Sequence, residues 1–142
     1  MPTRTSEAEW HGNLKEGRGH MRLGSGAYDG AYTFNSRFAD GGGTNPEELI
    51  AAAHAGCFAM ALSGDLVAAG FTAKDIRVTA AVHLNSVNGK ATIDKIDLTV
   101  GAEVPGIDKA TFAKIAEGTK QNCPVSRLLA PAATITLDAT LA

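Results

Sequence analysis

The most apolar part of the chain is a near-continuous run from Leu49 to Leu62, which only His54 interrupts. Its fourteen residues are too few to span a bilayer, so we expect a core helix. A helix without a polar face must be covered on every side, and one modest sheet covers only one side. The same helix of a second copy is the expected cover for the other side, where Gly56 lets two backbones approach closely. The pattern therefore predicts a homodimer packed through this helix.

Residues that favour helix ends bracket this run. Asn45 is a good N-cap, Pro46 suits the first helical position, and Glu48 completes a capping box. The helix should run to about Ala69, with Gly70 stopping it. Alternating steps of three and four residues predict one apolar stripe, which contains Ile50, Ala53, Cys57, Met60, Gly64 and Val67.

Outside this helix, alternating apolar and polar positions predict strands. The clearest alternation is found in residues 7–10, 76–84, 96–100 and 135–141. Residues 5–38 as a whole are typical of short strands with glycine turns, and residues 39–46 are typical of a loop. Asn88-Gly89 is a hairpin signal, and Asp108 can cap a second helix that ends before Pro124. This order predicts an α+β fold with mainly antiparallel sheet.

The composition is that of an ordinary globular protein. The 142 residues suit one domain over residues 1–142, with 44% hydrophobic and 20% charged residues. The formal net charge of −2 gives no reason to expect a nucleic acid or a membrane as partner. The polar N-terminus lacks the apolar segment of a secretory signal, so we expect a cytoplasmic protein.

The chain has two cysteines, Cys57 in the apolar helix and Cys123 directly before a proline. Each could be a small buried residue, the two could form a structural disulfide, or they could be a redox pair. The cysteines and the four scattered histidines show no paired spacing typical of metal ligands. A reactive thiolate needs a nearby cation, and His54 is the only local candidate, although a packing role is more usual for such a residue. The residues alone leave these alternatives open.

Four motifs resemble, in the same order, those of one protein family. They are GTNPEELIAAAHAGCFAMALS (43–63), NSRF (35–38), VPGIDKATF (104–112) and NCPVSRLL (122–129). Together they resemble the osmotically inducible protein C and organic hydroperoxide resistance family, and its osmotically inducible protein C branch in particular. The resemblance implies an α+β fold that forms an intertwined homodimer around two central helices. It also implies thiol-dependent reduction of organic hydroperoxides, and more weakly of hydrogen peroxide, without a metal or another cofactor.

The resemblance also assigns roles to four residues. Cys57 would be the peroxidatic cysteine, Cys123 the resolving cysteine, Arg37 the activating cation and Glu47 its carboxylate partner. In the other branch the arginine lies in a glycine-flanked turn, which here contains Arg18, and we interpret Arg18 as a surface residue. The implied reductant is a dithiol of the lipoyl type.

A distance argument adds one expectation about Glu47. Ten residues of helix rise about 15 Å, so Glu47 cannot touch Cys57 of its own helix if that helix is continuous. Either Glu47 acts indirectly, or the partner subunit's Glu47 approaches Cys57 across the dimer. We favour the second alternative. The alternatives to an enzyme are a binding module for a small ligand and a redox sensor, both using the same dimer groove.

Overall fold

The computed structural model describes residues 1–142, which divide into two units, Met1–Leu49 and Ile50–Ala142. Along the chain the elements are β1 (Ser6–His11), β2 (Arg18–Leu23), β3 (Asp29–Thr33), α1 (Phe34–Phe38), α2 (Pro46–Ala68), β4 (Asp75–Val87), β5 (Lys90–Glu103), α3 (Lys109–Asn122), α4 (Pro124–Leu129) and β6 (Thr134–Leu141). The α+β class is confirmed. The expectation of one domain over residues 1–142 stays a prediction.

The first unit is built on an antiparallel sheet of three strands in the order β1-β2-β3. The short helix α1 follows β3 directly and begins with a capping box. Thr33 Oγ1 accepts a hydrogen bond from the Ser36 N–H, and Ser36 Oγ accepts one from the Thr33 N–H. The strand-like interpretation of residues 5–38 misses α1, because a helix of five residues is too short to show a helical period.

The ends of α2 are those that the sequence predicts. Asn45 Oδ1 accepts a hydrogen bond from the Glu48 N–H at 2.8 Å, which confirms the N-cap. After Ala68 the chain turns at Gly70, whose φ of +91° is a left-handed conformation that glycine adopts without strain. The helix is unbroken over its 23 residues.

The second unit contains a three-stranded sheet in the order β4-β5-β6. β4 and β5 pair antiparallel around Asn88 and Gly89, whose positive φ values are those of a tight hairpin turn. β6 pairs with β5 in parallel, so the sheets are mainly but not wholly antiparallel. The parallel pair is possible because the chain crosses over through α3 and α4 between β5 and β6. Asp108 caps α3, as predicted, by accepting from the Thr111 N–H.

The core of the second unit packs one face of α2 against β5 and α3. In this unit the buried side chains of α2 are His54, Phe58, Leu62 and Leu66, each four residues after the last. The predicted stripe does not form the buried face of this chain, because its members Met60 and Val67 are 79% and 59% exposed. When a helix is apolar on nearly every side, its sequence does not predict which face is buried. Here packing against β5 and α3 determines the buried face.

The length of the apolar run does not by itself exclude a membrane span. The helix that contains this run has 23 residues, as its predicted ends imply, and its most apolar window has a mean hydropathy of 1.4, enough for a span by length and composition. Its role as a core helix follows instead from packing, because Phe58, Leu62 and Leu66 are fully buried in one cluster with Ile96 and Phe112.

Candidate active site

The two cysteines lie on elements that face each other in the second unit. Cys57 is half-buried on α2, next to the core residue Phe58. Cys123 is buried at the break between α3 and α4, where its backbone has φ −52° and ψ 126°. The break has a local cause, since a residue that precedes proline is kept out of the helical region and Pro124 begins α4. The prediction that Pro124 ends the second helix beside Cys123 is confirmed.

The break brings the two thiols into contact. Cys123 Sγ donates a hydrogen bond to Cys57 Sγ at 3.1 Å, and both cysteines are free thiols. A disulfide bond is about 2.05 Å long, so the sulfur atoms need to move only about 1 Å closer to bond. The pair is therefore placed for reversible oxidation to a disulfide.

The surroundings of Cys57 within this unit favour the neutral thiol. Burial raises the pKa of the Cys57 thiol, and the neighbouring Cys123 thiol acts in the same direction. The backbone N–H of Val125 alone acts against them. A nucleophilic Cys57 at neutral pH therefore needs a positive group in addition to these contacts.

His54 does not supply that positive charge. It lies one turn before Cys57 on α2 and is fully buried, with Nε2 at 2.7 Å from Ser126 Oγ. Burial lowers the pKa of His54, so the ring is neutral at neutral pH. His54 is thus a hydrogen-bonded core residue, the more usual role for such a histidine.

The second pair of predicted residues, Arg37 and Glu47, forms an ion pair in the first unit. Arg37 Nη2 donates to Glu47 Oε1 at 2.8 Å, and Nε lies 3.2 Å from Oε1 and 3.3 Å from Oε2. The Glu47 side chain is only 9% exposed and that of Arg37 is 37% exposed. The local fold sets this geometry, because the Ser36 hydroxyl donates to the Thr44 carbonyl and Asn45 Nδ2 donates to the Ser36 carbonyl. These bonds fasten α1 to the segment that leads into α2.

Arg18, the other candidate arginine, is placed differently. It stands at the start of β2 on an open cavity of about 660 Å³, together with His11, Asn13 and Glu16. The carboxylate of Glu47 binds Arg37 instead. This arrangement favours Arg37 as the partner of Glu47 and agrees with the interpretation of Arg18 as a surface residue.

The structure thus brings the four predicted residues together as two separate pairs. Because α2 is unbroken, Glu47 and Cys57 are separated by nearly three turns of that helix, and one chain's Glu47 does not touch its own Cys57. The chain has no group of three or more His, Cys, Asp or Glu side chains that could hold a metal ion.

Comparison with known proteins identifies the family. A family model described as OsmC-like protein matches residues 39–138. The chain is also 49% identical over 133 residues to the peroxiredoxin OsmC of Escherichia coli, covering 93% of this chain and 92% of that protein. The chain belongs to the OsmC family. The predicted family resemblance is confirmed.

Two more distant proteins are also similar to this chain. An organic hydroperoxide resistance protein of Xanthomonas axonopodis is 35% identical over 91 residues, which are 62% of this chain and 61% of that protein. The crystal structure of an organic hydroperoxide resistance protein from Elizabethkingia anophelis superposes with a TM-score of 0.75. It covers 99% of both chains at 24% identity, so it supports the fold alone.

Sequence reasoning missed one residue beside the cysteines of this OsmC-family chain. Ser126 is buried and bonds His54, yet a serine in NCPVSRLL carries no signal of its own. A weak signal was the equal spacing, because His54 lies three residues before Cys57 and Ser126 lies three residues after Cys123.

Proposed function

We propose that this OsmC-family protein is a thiol peroxidase that reduces organic hydroperoxides to alcohols, and hydrogen peroxide more weakly. The names of its relatives support this activity, since one is a peroxiredoxin and another confers organic hydroperoxide resistance. The single observation that carries the proposal is the contact of the only two thiols at 3.1 Å. The apolar cluster around Cys57 suits an alkyl hydroperoxide better than the small polar hydrogen peroxide.

The proposed cycle has three balanced steps. The Cys57 thiolate attacks the distal peroxide oxygen, the O–O bond breaks, and the alkoxide leaves as an alcohol after taking up a proton. Cys57 is now a sulfenic acid, and Cys123 condenses with it to form the disulfide and water. A dithiol then reduces the disulfide through a mixed disulfide and is itself oxidised.

Arg37 is proposed to supply the positive charge that the surroundings of Cys57 lack. A guanidinium favours the thiolate and can donate hydrogen bonds to the peroxide as negative charge develops on its oxygen atoms. Glu47 holds the guanidinium through the contacts at 2.8–3.3 Å. Since Glu47 and Cys57 of one chain lie far apart on α2, the pair is proposed to act on the Cys57 of a partner subunit.

The exposed face of α2 supports the homodimer that this arrangement requires. Met60 and Val67 are 79% and 59% exposed in the single chain, and the small residues Ala53, Gly56 and Gly64 lie exposed beside them. An exposed apolar helix face is typical of an interface, and small residues allow close helix packing. Active sites would then form only in the dimer. Peroxidase activity that stays unchanged in a verified monomer, obtained by dilution or by Met60→Lys, would contradict this part of the proposal.

The proposed reductant is a lipoyl-type dithiol in the cytoplasm. A dithiol can complete the exchange intramolecularly, because its second sulfur attacks the mixed disulfide at a high effective concentration. The cytoplasm keeps thiols reduced, which the resting state of such an enzyme requires. Turnover rates with a lipoyl dithiol and with glutathione at equal thiol concentration would compare the two reductants.

Counting thiols tests the peroxidase proposal. One equivalent of an alkyl hydroperoxide should remove two free thiols per chain, and a dithiol should restore both. Cys57→Ser should abolish peroxide consumption, whereas Cys123→Ser should allow one oxidation but no sustained turnover. Multiple turnovers by Cys57→Ser would refute the proposal. Thiol loss without dithiol turnover would favour a redox sensor, and no thiol loss would favour a binding module.

A further inference from the structure

A second contact runs beside the thiol pair and joins the same two elements. His54 and Cys57 lie three residues apart on α2, and Cys123 and Ser126 lie three residues apart at the start of α4. His54 Nε2 lies 2.7 Å from Ser126 Oγ, one helical turn from the contact between the sulfur atoms. Both residues are buried, His54 fully so and Ser126 to 99%. We call this hydrogen bond the His54–Ser126 bridge.

The His54–Ser126 bridge lies at the first turn of α4, a short helix with few stabilising contacts of its own. α4 has only six residues, and a helix that short is not stable by itself. Cys123 is its N-cap but makes no side-chain capping bond, so the first turn of α4 lacks the usual local fastening. Val125 and Leu129 pack on the core, but apolar contacts are not directional. Two directional contacts join the start of α4 to Cys57 itself, from the Cys123 thiol and the Val125 N–H, and the His54–Ser126 bridge adds one away from the reacting sulfur.

We propose that the His54–Ser126 bridge positions Cys123 for its reaction with Cys57, so that His54 and Ser126 are positioning residues for the resolving step. The inference rests on the proposed peroxidase cycle. In that step the S–O bond of the Cys57 sulfenic acid breaks and the S–S bond forms. The hydroxyl leaves as water with the thiol proton of Cys123, so no further oxidant or reductant is needed. The bridge changes none of these bonds and acts only on the distance between the two sulfur atoms.

We assign the proton of the neutral His54 ring to Nε2. Nδ1 is buried without a hydrogen-bond partner, whereas Nε2 contacts the serine hydroxyl. A proton on Nδ1 would leave a buried ring N–H without an acceptor, which is rarer than a buried lone pair without a donor. In this tautomer His54 Nε2–H donates to Ser126 Oγ. The ¹⁵N shifts of the His54 ring should report this neutral tautomer at neutral pH.

Ser126→Ala tests the bridge by removing the acceptor. The disulfide should form about tenfold more slowly from the Cys57 sulfenic acid, because the unbonded His54 no longer holds the first turn of α4. The first oxidation of Cys57 should keep its rate within a factor of about two. The equilibrium between dithiol and disulfide, measured in dithiothreitol buffers without peroxide, should shift about tenfold toward the dithiol, or about 30 mV. His54→Gln keeps an N–H donor that can reach Ser126. This variant should therefore retain most of the wild-type rate of disulfide formation and most of the wild-type dithiol–disulfide equilibrium.

Thr119→Val is the matched control. Thr119 is also fully buried, and its hydroxyl bonds Asp65, so it joins α3 to α2 in the turn before Cys123. The variant loses a part-buried hydrogen bond between helices and leaves α4 untouched, so resolution should stay close to the wild-type rate. If Ser126→Ala does not fold, Ser126→Thr and Ser126→Val offer the same comparison, because they differ mainly in the hydroxyl.

Two results would refute the proposed role of the His54–Ser126 bridge. One is a Ser126→Ala variant with wild-type resolution and a wild-type dithiol–disulfide equilibrium. The other is equal slowing by Thr119→Val, which would mean that any loosening of the helices has the same effect. Failure of the peroxidase proposal looks different, because the wild-type protein would then form no sulfenic acid. The equilibrium in dithiothreitol would still test the bridge in that case.

Discussion

Glu47→Gln removes the negative charge that holds Arg37 while keeping the shape of the side chain. Glu47 accepts all three of the close contacts from the guanidinium, and its carboxylate is 9% exposed. Glutamine offers one carbonyl oxygen and an amide group, which repels the guanidinium N–H groups instead of binding them. Arg37 should therefore leave its position for much of the time, although the backbone around it is unchanged.

The magnitude follows from the burial of the pair. A fully exposed ion pair contributes about 0–1 kcal/mol, and hydrogen bonds to a charged group about 1.5–3 kcal/mol. Because Glu47 is buried and Arg37 is 37% exposed, we expect the ion pair to stabilise the bonded position of Arg37 by about 2 kcal/mol. Because each 1.4 kcal/mol corresponds to a factor of ten, the equilibrium constant for Arg37 in its bonded position should fall about 30-fold. The second-order rate constant for the first oxidation of Cys57 should fall by about the same factor.

Single-turnover oxidation is the appropriate assay, because it separates the reaction of Cys57 from the later disulfide exchange. The reduced protein is mixed with an alkyl hydroperoxide, quenched at short times and assayed for Cys57 sulfenic acid. Glu48→Gln is the matched control, since it removes a neighbouring charge from the same first turn of α2 but leaves Arg37 bonded. A rate for Glu47→Gln within a factor of about two of wild type, or an equal fall in Glu48→Gln, would refute the proposed role of the pair.

Three further predictions concern stability. Phe58→Ala should lower the free energy of unfolding by about 3–5 kcal/mol in urea titrations, because Phe58 is fully buried in the core; a loss no larger than that of Val87→Ala, at an exposed position, would contradict this. Since burial lowers the pKa of His54, the unfolded state binds more protons below about pH 6.5, so stability should fall as the pH drops below that value. His54→Gln should flatten this fall, and an unchanged slope would count against it. The Thr136 hydroxyl and Lys95 lower the pKa of Asp97 to about 2, so Asp97→Asn should reduce the loss of stability between about pH 4 and pH 2 in acid titrations, whereas the same acid midpoint and slope as wild type would refute it.

Several features of the fold could be predicted from the sequence because their signals are local. Asn45 and Asp108 mark the starts of two helices through hydrogen bonds that reach only three residues along the chain. Gly70 and Asn88-Gly89 mark turns through the backbone conformations they allow. The strands of the second sheet were visible as alternation, since one face of each strand meets the core and the other does not.

Other features could not be predicted because they depend on residues far apart in the chain. β6 alternates like any half-buried strand, and only the crossover through α3 and α4 makes it run parallel to β5. The face of α2 that is buried within one chain could not be told from the predicted stripe, because a helix that is apolar on nearly every side leaves the choice to its neighbours. α1 was missed because five residues are too few for a period.

The candidate site divides in the same way. The sequence by itself determined which residues are proposed to take part, because motifs that resemble those of the family contain Cys57, Cys123, Arg37 and Glu47 and because Pro124 forces a break beside the second cysteine. Only the tertiary structure decided their pairing, with two sulfur atoms 3.1 Å apart and a buried histidine bonded to a serine 72 residues away. The physical reason is the separation along the chain over which each interaction acts. Caps, turns and proline act over a few bonds of the backbone, whereas contacts between side chains distant in the sequence exist only after the packing of helices and sheet has brought them together.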